Sequence, residues 1–233
     1  QVIASSLQAA AEAGFDVNML ITACGSCRDS LMRHGITGLD GTILPHNDIV
    51  QLLVDRLPHG VSVSDERIIY HSSCHPAWSG VKATKDGGKV ARALERITGA
   101  SILLNPGCCG ESGAGAYTCP DIYNVLRERK RERLESALAG YKADAPILVG
   151  CPSCKIGIAR TLMTMDVRHP ARGKDKSTGD KPVIDTHRPV LHNAEWLAET
   201  LLGKNWLSIF KAQASRTEGH PGVRVVCMEE RKR

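Results

Sequence analysis

The cysteines are the feature that most restricts what this 233-residue chain can fold into and do. Nine cysteines are present, and six of them form three close pairs. A secreted disulfide framework is normally shorter and denser in cysteine. Paired cysteines in a chain with no recognisable secretion signal indicate metal ligands or redox thiols, so we predict a reducing, cytoplasmic location. The cysteines are Cys24, Cys27, Cys74, Cys108, Cys109, Cys119, Cys151, Cys154 and Cys227.

Composition excludes several classes of protein. Hydrophobic residues make up 42% of the chain and charged residues 24%, which is typical of a globular protein rather than a disordered one. No apolar run approaches the roughly 18–20 residues of a membrane span, so we predict none and leave peripheral association open. A net charge of +5 is too small to predict a nucleic-acid partner.

Strand and helix patterns alternate along the chain. This predicts an α/β fold, with mainly parallel sheets and helices on both faces. Residues 166–189 are polar and lack periodicity, so we predict a mobile surface insertion there. Strands are predicted at residues 17–23, 67–72, 100–105, 146–150 and 223–228. Helices are predicted at residues 4–15, 28–34, 48–57, 88–98 and 120–139, after Cys154 to about Met165, and at 193–202.

Four groups of cysteines directly follow predicted strands. In open α/β sheets the carboxyl ends of the strands form one edge, and ligands bind just outside it. The helices that follow also direct partial positive charge and free N–H groups toward that edge, where they favour thiolates or an anionic cluster. We therefore expect cysteines that are distant in sequence to meet there.

An internal repeat is visible around two Cys-x-x-Cys motifs. The segment from Leu20 through Cys24-Gly-Ser-Cys27 matches the segment from Leu148 through Cys151-Pro-Ser-Cys154. Downstream, His46 and His192 occupy equivalent positions, which fits a shared structural role such as capping the following helix.

Only the second copy of the repeat has the upstream elements that carry Cys74 and Cys108-Cys109. The first copy's counterparts would precede residue 1. We therefore expect a tandem Cys-rich repeat with its first copy truncated. Residues 1–60 would be the C-terminal half of a first domain, and residues 61–233 a complete second domain.

The second copy brings five thiols together if its strands align as predicted. A tetrahedral zinc site and a cubane iron–sulfur cluster each use four ligands, so five is one too many for either. Adjacent Cys108 and Cys109 point in different directions and could hold two edges of a larger cluster. Thiolate sulfur favours iron–sulfur clusters or zinc over hard cations. The five are Cys74, Cys108, Cys109, Cys151 and Cys154.

These motifs resemble the cysteine-rich CCG domain found in heterodisulfide reductase and in the iron–sulfur component of glycolate oxidase. The matching stretches are Tyr70 to His75, Pro106-Gly-Cys108-Cys109-Gly110 to Gly113, and Cys151-Pro-Ser-Cys154. The sequence around Gly110 is most similar to the C-terminal end of fused FAD-linked oxidoreductases. The second gap and the 166–189 insertion are long for the family.

The resemblance implies a 4Fe-4S cluster, including the noncubane form, held by those five cysteines. Cys24 and Cys27 would belong to a partial first-repeat site, as two remaining thiols or as a disulfide. It also implies an electron-transfer module whose partners are a flavin dehydrogenase domain or subunit and an electron carrier or disulfide acceptor. FAD, and a dehydrogenase step on a 2-hydroxy acid, would belong to the flavin part. No catalytic residues are predicted in this chain, and whether it is itself an enzyme stays open. The alternatives are a zinc-binding structural or docking domain and a metal-free thiol–disulfide oxidoreductase.

Other residues near the motifs have simpler interpretations. Cys119 is a further ligand, a spare thiol or a buried small residue, and Cys227 belongs to the core. His71 and His75 either donate to cluster sulfur or bond to backbone. The glycines Gly110, Gly113 and Gly115 would allow close backbone approach, with N–H groups aimed at sulfur.

The charged run 127–133 predicts a solvated helix face. The apolar stripe opposite that face would be Ile122, Val125, Leu126, Leu134 and Leu138.

Overall fold

A computed structural model describes residues 2–50, 52, 67–73, 83–111, 114–139, 145–168 and 188–215. Within these ranges the strands are β1 (Leu20–Thr22), β2 (His46–Asp48), β3 (Arg67–His71), β4 (Ser101–Asn105), β5 (Ile147–Val149) and β6 (Val190–His192). The helices are α1 (Val2–Glu12), α2 (Gly25–His34), α3 (Ala83–Thr98), α4 (Ala114–Thr118), α5 (Pro120–Leu138), α6 (Pro152–Arg168), α7 (Asn193–Leu202) and α8 (Trp206–Ser215).

The described strands form two parallel sheets. A small sheet pairs β1 with β2, and a four-stranded sheet has the order β4-β3-β5-β6. His71 at the end of β3 lies opposite Asn105 on one side and Val149 on the other. Because all four strands run the same way, the segments that carry Cys108, Cys109, Cys151 and Cys154 leave the sheet at one edge.

Helices cover both faces of the four-stranded sheet. Ile68, Tyr70 and Leu148 face a core built with α3 and α7. The alternate residues Ile69 and Ile147 face a second core built with α5 and α6. Burial on both faces explains why the strands are almost continuously apolar rather than alternating. The predicted α/β fold with parallel sheets is confirmed.

Several boundaries differ from the sequence prediction. Helix α6 runs to Arg168, so the first three residues of the predicted 166–189 insertion are helical, and residues 169–187 lie outside the described part of the chain. The short strands β2 and β6 and helices α4 and α8 were not predicted. Three-residue strands have too little pattern of their own and are defined by the neighbours that they pair with. The predicted strand at 223–228 and most of the helix at 48–57 also lie outside the described residues.

The two copies of the repeat share a strand, a Cys-x-x-Cys motif and a helix, but not the same strand register. His46 lies opposite Leu20, whereas His192 lies opposite Val149, the equivalent of Thr22. His192 caps α7, and its side chain accepts a hydrogen bond from the Ala194 N–H.

The shared capping role predicted for His46 is wrong. His46 begins β2, and its Nε2 lies 3.0 Å from Oγ1 of Thr22 at the end of β1. The Asp48 carboxylate instead accepts the Val50 N–H at the start of the following helix.

No helix among the described residues combines the length and apolarity needed to cross a bilayer.

Candidate metal centre

Three buried thiols converge at the carboxyl edge of the four-stranded sheet. Cys109 lies in the loop after β4, Cys151 directly precedes α6, and Cys154 lies in the first turn of that helix. All three pack in the core between the sheet, α5 and α6. Cys108 is half-buried beside them. The predicted meeting of cysteines from separate strand ends therefore occurs for these four residues.

His71 extends this thiol group from the end of β3. The ligand atoms of His71, Cys109 and Cys154 lie within 4.8 Å of one another. The imidazole is fully buried, and neither ring nitrogen has a hydrogen-bond partner of good geometry in the described part of the chain. A buried imidazole without a partner loses the free energy of its hydration. A metal ion bound between these three groups would satisfy it.

The thiols differ in how readily they ionise. Hydrogen bonds from the Cys154 thiol and from the backbone N–H groups of Cys154 and Ser153 lower the pKa of Cys151 to about 5. Cys109 forms a hydrogen bond with Cys108, and this bond together with burial raises the pKa of Cys109 to about 11. Hydrogen bonds with Cys109 and Cys151, followed by burial, raise the pKa of Cys154. One thiolate is thus stabilised while its neighbours keep their protons, which a metal ion would have to displace.

Burial also controls the imidazole of His71. Desolvation, followed by the charge of Lys130, holds the pKa of His71 well below its usual range. The nearby Asn105 backbone opposes this fall only in part. The ring is therefore neutral at physiological pH, which is the form that binds a metal.

Lys130 is a residue of this site that the sequence analysis missed. Its side chain is 1% exposed, and the ammonium donates to Asn105 O at 3.1 Å, to Pro106 O at 3.2 Å and to Asn105 Oδ1. Burial lowers the pKa of Lys130 to about 7, and the nearby Cys109 and Cys154 oppose that shift. Lys130 is thus a buried amine next to the thiols that titrates near neutral pH.

The prediction of which face of helix α5 is buried was partly wrong. Ile122 and Val125 were assigned to its apolar stripe, but both are exposed. The buried side chains are those of Lys130, Leu134 and Leu138, which recur every four residues. Lys130 was assigned to the solvated face because a lysine within a charged run gives no sign of burial. The signal that could have found it is its spacing of four from Leu134.

Two glycines allow the cysteine loop to pack closely. Gly110 has a φ of +75°, and its N–H donates to Cys108 Sγ at 3.4 Å, as expected for a loop that turns its amides toward sulfur. Gly157 on α6 lies directly against this loop. A β-carbon there would lie 3.0 Å from Cys109 O and 2.8 Å from Glu111 Cβ.

Replacing Gly157 with alanine is expected to destabilise the protein. Alanine favours a helix interior by about 1 kcal/mol, but overpacking against the Cys109 backbone costs about 1–3 kcal/mol. Gly88→Ala in α3 is the matched control, because the nearest atom to its new β-carbon would be Arg92 Nη1 at 3.5 Å. Urea unfolding should show a lower free energy of unfolding for Gly157→Ala and a higher one for Gly88→Ala. Equal stabilisation by both changes would contradict the close approach.

The remaining predicted site residues are placed as follows. Cys74 and His75, together with Cys227 and Gly113, lie outside the described residues. Cys119 precedes α5 and is exposed, so its assignment as a buried small residue is wrong.

Cys24 directly precedes α2, Cys27 lies in the first turn of that helix, and both are free cysteines. Cys27 is exposed, whereas Cys24 is half-buried with its Sγ 3.8 Å from Cys151 Sγ. Burial raises the pKa of Cys24.

Comparison with known proteins identifies the central segment. Residues 68–159 match the family model of the cysteine-rich domain called CCG. We refer to this matched stretch as the CCG segment. No curated protein matches the chain.

The CCG segment begins in β3 and ends within α6, so it contains His71 and the five cysteines of the second copy. The family match and the group of buried thiols with His71 together support metal binding. The donor set is soft sulfur with one imidazole, which suits zinc or iron rather than magnesium or calcium.

Proposed function

We propose that this protein is the iron–sulfur electron-transfer module of a flavin-linked oxidoreductase. The observation that carries the proposal is the continuous group of buried thiols at the carboxyl edge of the sheet, where Cys108, Cys109, Cys151 and Cys154 lie side by side. With Cys74, which follows β3 in sequence, these residues supply the five thiolates of a 4Fe-4S cluster of the noncubane type. A bound cluster supplies one-electron transfer.

The surrounding residues suit a negatively charged group. The Gly110 N–H points at Cys108 Sγ, and the first N–H groups of α6 point at Cys151 Sγ. Hydrogen bonds to sulfur and nearby positive charge stabilise the reduced, more negative state of a cluster. Lys130 provides such a charge in its protonated form, and a negatively charged group beside it favours that form.

The wider setting of the proposal follows from the resemblance of the motifs. Electrons come from a flavin dehydrogenase domain or subunit and leave to a carrier or a disulfide acceptor, in the cytoplasm. The substrate step, on a 2-hydroxy acid, belongs to the flavin part. Within the same proposal, residues 1–60 derive from a first Cys-rich domain and residues 61–233 form the second.

A zinc-stabilised structural or docking domain is the second candidate. The arrangement of His71, Cys109 and Cys154 favours it, because two thiolates and one imidazole are a common part of a tetrahedral zinc site. Metal-free thiol–disulfide exchange is supported less well. Cys151 has the lowered pKa that such chemistry needs, but its side chain is buried, and attacking thiols are normally accessible.

Anaerobic purification of the chain, followed by analysis of iron, acid-labile sulfide and zinc, distinguishes these functions. The proposal predicts about four iron and four sulfide per chain, as in a four-iron cluster. About one zinc without sulfide would overturn it in favour of the structural domain. A colourless, metal-free protein that reduces disulfides would support the thiol–disulfide function instead.

A further inference from the structure

Cys24 lies outside the CCG segment, yet it touches the thiol group of that domain. Its Sγ is 3.8 Å from Cys151 Sγ, and its side chain packs on the core that holds Cys109, Cys151 and Cys154. Cys24 and Cys151 hold equivalent positions in the repeat, each directly before a helix. The contact thus joins corresponding residues of the two copies.

A hydrogen bond beside this contact fixes the two copies relative to each other. His192 Nε2 lies 2.8 Å from Ala23 O, the carbonyl immediately before Cys24. His192 ends β6, which pairs with β5, and β5 leads into Cys151. Cys24 and Cys151 are therefore brought to the same edge of the four-stranded sheet by a hydrogen bond and by strand pairing. Neither of these contacts involves the sulfur atoms.

The distance between the two sulfurs suits a shared metal ion. Thiolate sulfurs bind zinc at about 2.3 Å, so two of them on one tetrahedral ion are about 3.8 Å apart. A disulfide needs sulfurs about 2.05 Å apart, so the two thiols are in contact but not bonded. Cys24, Cys151, Cys154 and Cys109 form an unbroken chain of thiol contacts.

The far end of this chain also points to a ligand. His71 lies beside Cys109 and Cys154 with both ring nitrogens buried and, among the described residues, without a hydrogen-bond partner. The imidazole of His71 has no hydrogen-bond partner at one end of this chain, and the sulfurs of Cys24 and Cys151 are in contact at the other. These are two separate observations. Both are explained by metal binding to the same group of side chains.

We propose that Cys24 is a ligand of the metal centre and shares an ion with Cys151, so that the centre is built from both copies of the repeat. This inference rests on the proposed function only in requiring a metal centre at Cys151. It differs from the expectation that Cys24 belongs to a separate first-repeat site. The ion is a thiophilic one that accepts tetrahedral coordination, such as iron or zinc.

Cobalt titration of the full, reduced, metal-free chain tests this proposal, because the intensity of thiolate-to-cobalt absorption rises with each bound thiolate. Cys24→Ser should lower that intensity by one thiolate's share and weaken cobalt binding at least about tenfold, the lower limit for disturbing a metal site. The control is Cys119→Ser, which removes an exposed thiol and should behave as wild type. Equal intensity and affinity in the two variants would overturn the proposal.

A second measurement needs no variant and remains decisive if Cys24→Ser fails to fold. Zinc added to the wild-type chain should protect Cys24 and Cys151 together from alkylation, as mapped by mass spectrometry, while Cys119 still reacts. Unchanged alkylation of Cys24 would overturn the shared ion. Binding of cobalt by wild type without any contribution from Cys24 contradicts this inference alone. Absence of thiolate-to-cobalt absorption in wild type contradicts the metal centre as well.

Discussion

Cys109→Ser is expected to abolish high-affinity metal binding. Cys109 is buried beside His71 and Cys154, so its loss removes one of the three close donors of the group. Loss of a residue that only hydrogen-bonds to a metal ligand lowers metal affinity about 10–100-fold. Loss of Cys109 as a ligand should therefore lower metal affinity by more than about 100-fold. A ligand that binds only the folded state stabilises it, and a 100-fold weaker affinity corresponds to about 2.7 kcal/mol of apparent stability.

Metal titration and thermal unfolding with and without metal measure these two effects. Cys119→Ser is the matched control, because it makes the same chemical change at an exposed position. Circular dichroism of the metal-free variants checks that both fold. If Cys109→Ser binds metal as tightly as Cys119→Ser does, Cys109 is not a ligand.

Lys130→Met is expected to lower the free energy of unfolding by about 3 kcal/mol, because two buried oxygens of Asn105 lose the Lys130 donor and each unsatisfied group costs about 1–3 kcal/mol. Relief from burying the ammonium offsets part of that loss. The two oxygens are Asn105 O and Asn105 Oδ1, whereas Pro106 O still accepts a hydrogen bond from Arg133 Nη1 at 3.3 Å. The loss should be larger for the metal-loaded chain, since the charge of Lys130 acts on Cys109 and Cys154.

Lys155→Met provides the comparison for Lys130→Met. Lys155 instead forms an ion pair, with Glu195 Oε2 at 2.6 Å, and both side chains are well exposed. Exposed pairs contribute about 0–1 kcal/mol, so this change should have little effect. Urea unfolding of both variants, each with and without metal, measures the four free energies of unfolding that this comparison needs. Similar losses in the two variants would contradict a structural role for the buried ammonium.

The alternation of strand and helix patterns could be predicted from the sequence because each pattern has a local cause. Ile68, Ile69 and Tyr70 form a short apolar run, which indicates a strand buried on both faces. The position of Cys109 and Cys151 after strands then placed them at one edge. The short strands β2 and β6 could not be predicted, since pairing with distant partners defines them.

Helix α5 shows where local pattern is insufficient. The charged run around Lys130 predicts an exposed face, but the helix turns Lys130 toward the sheet, where carbonyls of Asn105 and Pro106 accept its hydrogen bonds. Those carbonyls lie about 25 residues earlier in the chain, so no local rule connects them to Lys130. Exposure of Ile122 and Val125 has the same origin, because the sheet determines which side of the helix is covered.

The sequence by itself determined the kind of chemistry: soft sulfur ligands, at strand ends, on an α/β framework. Residue type and the period of the strands and helices are local properties, and they were sufficient for that conclusion. Only the tertiary structure decided which groups meet. Contacts between His71, Cys109 and Lys130, and between Cys24 and Cys151, depend on the packing of helices against a sheet whose strands are far apart in sequence.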